Sequence, residues 1–591
     1  MTYSLFRGRH ILGVFIIGIN VCAQALSITN GPFLIQTNSA PLACKIQLST
    51  ETDSRVSVQV STGTNTWSKG FFNYTNNHSV ILAGFTPDTT NVITVSVKDR
   101  AGNSVTAPAP LTFQTSPLPA TFPRITLRTN QPSRMEPGYT LFRAANVGSQ
   151  AFLVIVNNQG EVVWYSNTTT LLDVRQRPNG NIFAYTASTF FEINLFAEVV
   201  ASWPMAPGYP IDSHDGVPTD HGTILYLSGA TQSVTNFPGS STDSNALPHT
   251  VTITHQPVVE ISMTNPAAFQ VWRTIDMIDP LHVTYFYLGG INNVDFEHSN
   301  AVSEDLRDDS LMVSMRHQNA VIKFARTNGQ LKWILGPHEN YAPAYQPYLL
   351  TPVGEPFAWN YAQHAPKVTP QGTLLIFDNG NFRASPFAVS VANSNNYSRA
   401  VEYSINENTM EVSQLWTFGS NVVERLFSPT VGDVDQLPKS GNMLVTFGNV
   451  RFINGATTSS NNAIASMIRI QEVTHTEPAE IIFDLEVFNR TNTSPAYNGC
   501  SGYRSDRIPS LYSSIPMAVQ DLRAGLTNGL TCLAFSADPV MNHRIQVSTN
   551  FVSWTDLGSP TNSSGLGDFL FADQDSTQSG ARFYRVVSST P

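Results

Sequence analysis

Apolar residues recur along this chain in short alternating runs separated by polar turns, the period-two signature of strands with one buried face. Lys45-Ile46-Gln47-Leu48 and Val56-Ser57-Val58-Gln59-Val60 are early examples, and Val92-Ile93-Thr94-Val95-Ser96-Val97 runs into the turn Asp99-Arg100-Ala101-Gly102. Residues 26–116 therefore read as a fibronectin-like β-sandwich, and Ser116-Pro117-Leu118-Pro119 as a linker. From about 120 to 485 a degenerate unit repeats: a Gly-bearing turn before a strand, then a later strand ending in an aromatic. The endings are Glu161-Val162-Val163-Trp164, Trp203, Phe269-Gln270-Val271-Trp272, Gln330-Leu331-Lys332-Trp333, Gln414-Leu415-Trp416 and Glu480-Ile481-Ile482-Phe483. Turn signals stand at Gly180, Gly222, Gly372 and Gly441, with Ser310 in the equivalent place elsewhere. Units of this size cannot bury both faces alone and must stack around an axis. Six endings predict an all-β chain with a six-bladed β-propeller over 117–513. Arg544-Ile545-Gln546-Val547 and Arg582-Phe583-Tyr584-Arg585-Val586-Val587 place a small β-module at 525–591.

Composition narrows the function classes. Charged residues are 13% of the 591, Gly and Pro number 37 each, and the formal net charge is −10. That balance suits strands and turns and excludes a basic nucleic-acid surface. Arg7, Arg9 and His10, the apolar run Ile11 to Val21 and Ala23-Gln24-Ala25 form an export signal over 1–25. The chain is then expected in the periplasm or secreted, without a membrane span. Val21 before Cys22 is not the small residue that lipoprotein processing needs. Of the remaining Cys44, Cys500 and Cys532, an oxidising compartment permits a Cys500–Cys532 disulfide.

Three histidines hold equivalent places in consecutive repeats. His214 precedes Gly222 by eight residues, and His364 precedes Gly372 by the same eight; His298 stands about three residues further from its turn at Asp309-Ser310. Equal offsets put them on innermost strands at one mouth of the channel, and antiparallel pairing returns Arg316 to that mouth. One guanidinium and three imidazoles suit a sulfate monoester. Transfer spreads charge over its oxygens, as in phosphoryl transfer. Arg offers a planar two-pronged donor, and a neutral imidazole is a nucleophile. His282, His317, His338 and His255 lack the offset and read as surface or core; His221 reads as solvated. Asp215 and Glu297 flank the histidines, either orienting one or facing away. Phe357, Trp359 and Tyr361 read as walls for an aromatic ring or as strand core.

Asp295-Phe296-Glu297-His298-Ser299-Asn300, Ser314-Met315-Arg316-His317-Gln318, Lys332-Trp333-Ile334-Leu335-Gly336-Pro337 and Gln363-His364-Ala365 resemble the bacterial arylsulfate sulfotransferases, as does Phe377-Asp378-Asn379-Gly380. The resemblance covers roughly 117–513. It implies a six-bladed propeller after a β-sandwich, and ping-pong transfer of a sulfuryl group from an aryl sulfate to a phenol. It makes His364 the transiently sulfated nucleophile, with His214 and His298 in support and Arg316, Asn300 and a residue at Thr430 or Val431 binding substrate. No Gly-rich phosphate loop opens a helix, so no nucleotide cofactor is implied. A homodimer is compatible with the family. Two rivals are a His-ligated metalloenzyme, which Arg316 opposes, and a non-catalytic binding propeller, in which His364 would be dispensable.

Overall fold

A computed structural model describes residues 25–589, apart from 64, 147–149, 168–172, 421, 423, 454–455, 461–464, 489–497, 516 and 577–580. The export signal lies outside the described residues. Those residues form an all-β chain, its helical content confined to one-turn 3-10 segments such as Arg316–Gln318.

The first unit is one hydrogen-bonded, six-stranded sheet running from Ile28–Gln36 to Leu111–Gln114. Its second strand, Ala43–Thr62, changes register between Ser49 and Val56. A bulge bends a strand, and both halves here bury side chains in one core: Cys44, Ile46 and Leu48 from the first, Val56, Val58 and Val60 from the second.

The middle of the chain forms a succession of antiparallel four-stranded sheets whose alternating runs pair with their neighbours, although Thr223–Ser228 meets Val258–Ser262 and Leu374–Asp378 meets Arg399–Asn406 only after long insertions, and the latter sheet gains the short parallel strand Thr351–Pro352. Four have the first strands Val174–Gln176, Ile211–Pro218, Ser299–Asp305 and His364–Val368; a fifth begins with Asp433–Gln436. From Ile211–Pro218 onward the first strands of successive sheets pack on one another. Arg124–Asn130 joins the last of these sheets beside Ile481–Phe488. Ser505–Ile508 pairs with Tyr139–Asn146, ahead of Ala151–Val156 and Val162–Asn167. Both ends of this region are thereby sewn together by strands from opposite termini.

The aromatic endings explain how the sheets are pegged. Trp164 Nε1 donates to the Leu195 carbonyl, Trp203 to Met263 and Trp272 to Arg326. Trp333 donates to the Glu407 carboxylate and Trp416 to the Thr476 carbonyl. Every acceptor lies in the turn between the third and fourth strands of the following sheet. A buried indole N–H needs a partner, so each tryptophan combines packing with a hydrogen bond that fixes its neighbour. Phe483 has no such donor, and there the junction is made by the added strand Arg124–Asn130.

The last unit holds two small sheets around Leu533, Phe535, Ile545 and Phe569. Arg55 and Asp568 tie it to the first unit. The permitted Cys500–Cys532 disulfide does not form. Cys500 is buried in the middle region, Cys532 sits in this last unit, and all three described cysteines are free. Among the described residues no helix is long and apolar enough to cross a membrane.

Candidate active site

Each of the three histidines sits where an innermost strand breaks register. The shifts fall between Ile211 and Gly216, between Ser299 and Ala301, and between His364 and Lys367. His298 itself has φ 45° and Ala365 φ 53°. Bulges re-aim side chains, and these three turn the imidazoles to a common place. The His214 and His298 rings are 4.7 Å apart, and His364 feels the charges of Arg316, His214 and His298. The sequence-predicted quartet is therefore one cluster.

The hydrogen bonds around each ring decide its chemistry. His364 is buried, 2% exposed, and its Nδ1 lies 2.6 Å from Asn379 Oδ1. The Asn379 amide nitrogen donates to the carbonyls of Ser428 and Val431, both at 2.8 Å, which fixes the amide's orientation. Asn379 Oδ1 must then accept, so His364 carries its proton on Nδ1 and leaves a lone pair on Nε2. Burial, and next the Arg316 charge, hold the His364 pKa well below its ordinary value, so the ring is neutral at pH 7. His298 and His214 are held differently, each by a carboxylate close upstream: Asp295 at 2.5 Å from His298 Nδ1, and Asp212 against His214 Nδ1. Burial also lowers the His298 pKa.

Arg316 is the outstanding charge. The other buried arginines pair with carboxylates: Arg55 with Asp568, Arg399 with Asp378, Arg469 with Asp484, Arg504 with Asp173. Arg316 has none within ion-pair distance among the described residues. Its Nη2 donates to the Pro429 carbonyl at 2.9 Å and its Nη1 to His317 Nε2 at 2.8 Å, while Nε has no partner. Burial pushes its pKa down to about 10, opposed by the charge of Asp295, which lies beyond ion-pair distance, and reinforced by that of Arg451. It stays a cation at neutral pH, and it lacks an anion.

His317, read from sequence as surface or core, belongs to this cluster. Its ring stacks between Phe286 at 4.3 Å and His298 at 4.4 Å. Its lack of an offset is real, since it follows a second strand instead of opening a first one. Asp215 and Glu297 face away. Asp215 pairs with Arg175 and Arg504; Glu297 accepts from Gln256 N, Thr274 and Ser299. Asn300 is fully buried, its amide donating to the Gln363 carbonyl and its Oδ1 without a partner. It tethers the strand that carries His364. Thr430 Oγ1 is 2.8 Å from the Asn449 amide, and the neighbouring Val431 contributes its carbonyl to Asn379. His282 and His255 are core, His338 bonds the Leu350 carbonyl, and His221 is half exposed. Phe357 and Trp359 are partly buried and pack against a sheet core. A cleft does open beside Asp295 and His317, walled by Phe237, Phe286, Tyr287 and Phe296. Asp295, His298 and His317 also bring three possible metal-ligand atoms within 4.8 Å. Both His317 nitrogens, however, are engaged, Nε2 by Arg316 and Nδ1 by the Asp295 carbonyl at 2.7 Å.

The chain is 25% identical over 368 residues to Arylsulfate sulfotransferase AssT of Escherichia coli O6:H1, covering 51% of this chain and 58% of that one. It is 25% identical over 349 residues to Arylsulfate sulfotransferase AssT of Lelliottia amnigena, covering 48% and 55%. The chain thus spans a little over half the length of the curated relatives it matches. A solved periplasmic gluconolactonase of Pseudomonas aeruginosa, PpgL, covers 76% of this chain and 98% of its own at 12% identity. Its TM-score of 0.29 is too low to carry argument. The family model for arylsulfotransferase (ASST) matches residues 124–498, well over half of the sequence, and the chain belongs to that family.

Proposed function

We propose that the protein moves a sulfuryl group from an aryl sulfate to a phenol through a sulfated His364, without a nucleotide cofactor. The observation that carries this is a neutral, Nδ1-protonated His364 in the field of a buried, carboxylate-free Arg316. In the first half-reaction the Nε2 lone pair attacks sulfur, the N–S bond forms and the aryl O–S bond breaks. Arg316 holds the sulfuryl oxygens as charge spreads over them. The leaving aryl oxygen takes a proton from the Asp295–His298 or Asp212–His214 pair. In the second half-reaction the acceptor phenol returns a proton to that pair as its oxygen attacks sulfur, and the N–S bond breaks. Protons balance over the cycle. The cleft walled by Phe286 and Phe296 suits an aromatic ring.

The same reading takes six four-stranded sheets as blades, 26–116 as a sandwich, 117–513 as the catalytic propeller and 525–591 as an accessory module. Export to the periplasm or beyond follows from the signal-like residues 1–25. The test is mass spectrometry of the protein briefly mixed with 4-nitrophenyl sulfate, beside His364→Ala. The expected result is a sulfuryl adduct on the His364 peptide, discharged by phenol and absent from the variant. No adduct and no nitrophenol release would refute the reading, and metal analysis of the same sample would then test the Asp295, His298 and His317 trio.

A further inference from the structure

We infer that His317 is a positioning residue that holds Arg316 in place without neutralising it. The inference rests on the reading of Arg316 as the group that receives the sulfuryl oxygens. An arginine that must meet an anion has a conflicting need: it requires partners to fix its plane, yet a carboxylate partner would cancel the charge it presents. The other buried arginines of this chain take the carboxylate. Arg316 takes a carbonyl, Pro429, and an imidazole, His317.

That arrangement works only with one tautomer. Nε2 of His317 can accept from Arg316 Nη1 only if unprotonated, and the Nδ1–H has its own acceptor in the Asp295 carbonyl at 2.7 Å. The ring is clamped as well, stacked between Phe286 and His298, while the Arg316 guanidinium lies 4.6 Å over the same Phe286 ring. Burial, with the charges of His298 and Arg316 next, keeps His317 neutral. The Asp295 residue also joins the two rings: its carboxylate orients His298 and its carbonyl orients His317. One aspartate thereby sets both the proton-carrying imidazole and the support of the guanidinium.

Three substitutions separate this role from mere packing. His317→Gln keeps a neutral acceptor, His317→Phe keeps the stack and removes the acceptor, and His317→Asp supplies an acceptor that carries charge. The rate of His364 sulfation by 4-nitrophenyl sulfate is expected to fall on the order of 10²-fold in the Phe and Asp variants. In the Gln variant it should stay within about tenfold of wild type, since the neutral acceptor survives. Equal rates in the Asp and Gln variants would overturn the inference, since charge on the partner would then not matter. Calorimetric titration with inorganic sulfate gives a readout that needs no turnover: weaker binding in the Asp variant than in wild type is expected, and equal binding overturns the inference. A wild type that binds sulfate but forms no adduct would instead refute the proposed function while leaving the role of His317 intact.

Discussion

Replacing Arg316 by methionine should remove activity and leave the fold as stable as before, or more so. A guanidinium whose pKa is pushed down to about 10 is less favourably charged in the folded protein than in the unfolded chain. Converted at about 1.4 kcal/mol per pH unit, that is a cost of roughly 3 kcal/mol. A base with a lowered folded pKa carries the whole cost below pH 10, and the cost fades as pH rises above it. Two hydrogen bonds, to the Pro429 carbonyl and His317 Nε2, are lost in the variant at about 1 kcal/mol each. Methionine fills much of the same space with apolar surface. The balance is a gain of about 1 kcal/mol. Arg399→Met is the control. There the guanidinium pairs with Asp378 at 2.8 Å, and removing one member of a buried pair costs about 3–5 kcal/mol.

Differential scanning calorimetry at pH 7 compares the two, read as shifts of the transition temperature because a chain of several units is not a two-state system. Arg316→Met should match or exceed wild type while Arg399→Met falls by several degrees. Nitrophenol release by Arg316→Met should fall on the order of 10²- to 10³-fold. Inorganic sulfate at a hundredfold excess over its dissociation constant should stabilise wild type by about 2.7 kcal/mol and the Arg316 variant not at all. If Arg316→Met melts as low as Arg399→Met, the guanidinium is a structural member of the fold, and the argument that it waits for an anion fails.

Three further outcomes follow from the same geometry. Asn379→Leu removes the acceptor that holds the His364 proton on Nδ1; kcat should fall on the order of 10²-fold or more with KM little changed, and an unchanged kcat would show that the tautomer is not set there. His364 sulfation should keep its rate from pH 8 down to 6.5, because burial and then the Arg316 charge hold the His364 pKa well below its ordinary value and its lone pair persists into acid; a loss of sulfation rate centred at or above 6.5 would contradict it. Burial raises the Glu297 carboxyl to about 7, so its ionisation opposes folding increasingly from about pH 4.5 up to 7, by roughly 3 kcal/mol at the plateau. Glu297→Gln should therefore gain in melting temperature relative to wild type between pH 5 and 8, and a difference that does not change with pH would be evidence against the shift.

What the sequence made legible, and what it hid, divides along a physical line. A turn glycine counts residues back along one strand, so the offset of eight from Gly222 and Gly372 located His214 and His364 on first strands. The aromatic endings were equally legible, because a tryptophan that pegs a neighbouring sheet must recur at each outer strand. The partners of the rings were not found this way. Asp212 and Asp295 lie two and three residues before their histidines, but only the bulges and the left-handed φ of His298 fold those carboxylates back onto the imidazoles. Asp215 and Glu297, adjacent in sequence, point to the opposite side and serve other contacts.

His317 and Asn379 show the missing rule. Antiparallel pairing returns the end of every second strand to the mouth where the first strand began. Arg316 and His317 follow Ser310–Met315, and Asn379 follows Leu374–Asp378. The residue just past a second strand is therefore as much a site position as the residue that opens a first strand. Applied to the next sheet, the same rule reaches the turn of register between Phe447 and Val450, where Asn449 meets Thr430. The cluster draws on both sets: first strands supply the imidazoles, and the ends of second strands supply the guanidinium, its support and the amide that fixes the proton of His364.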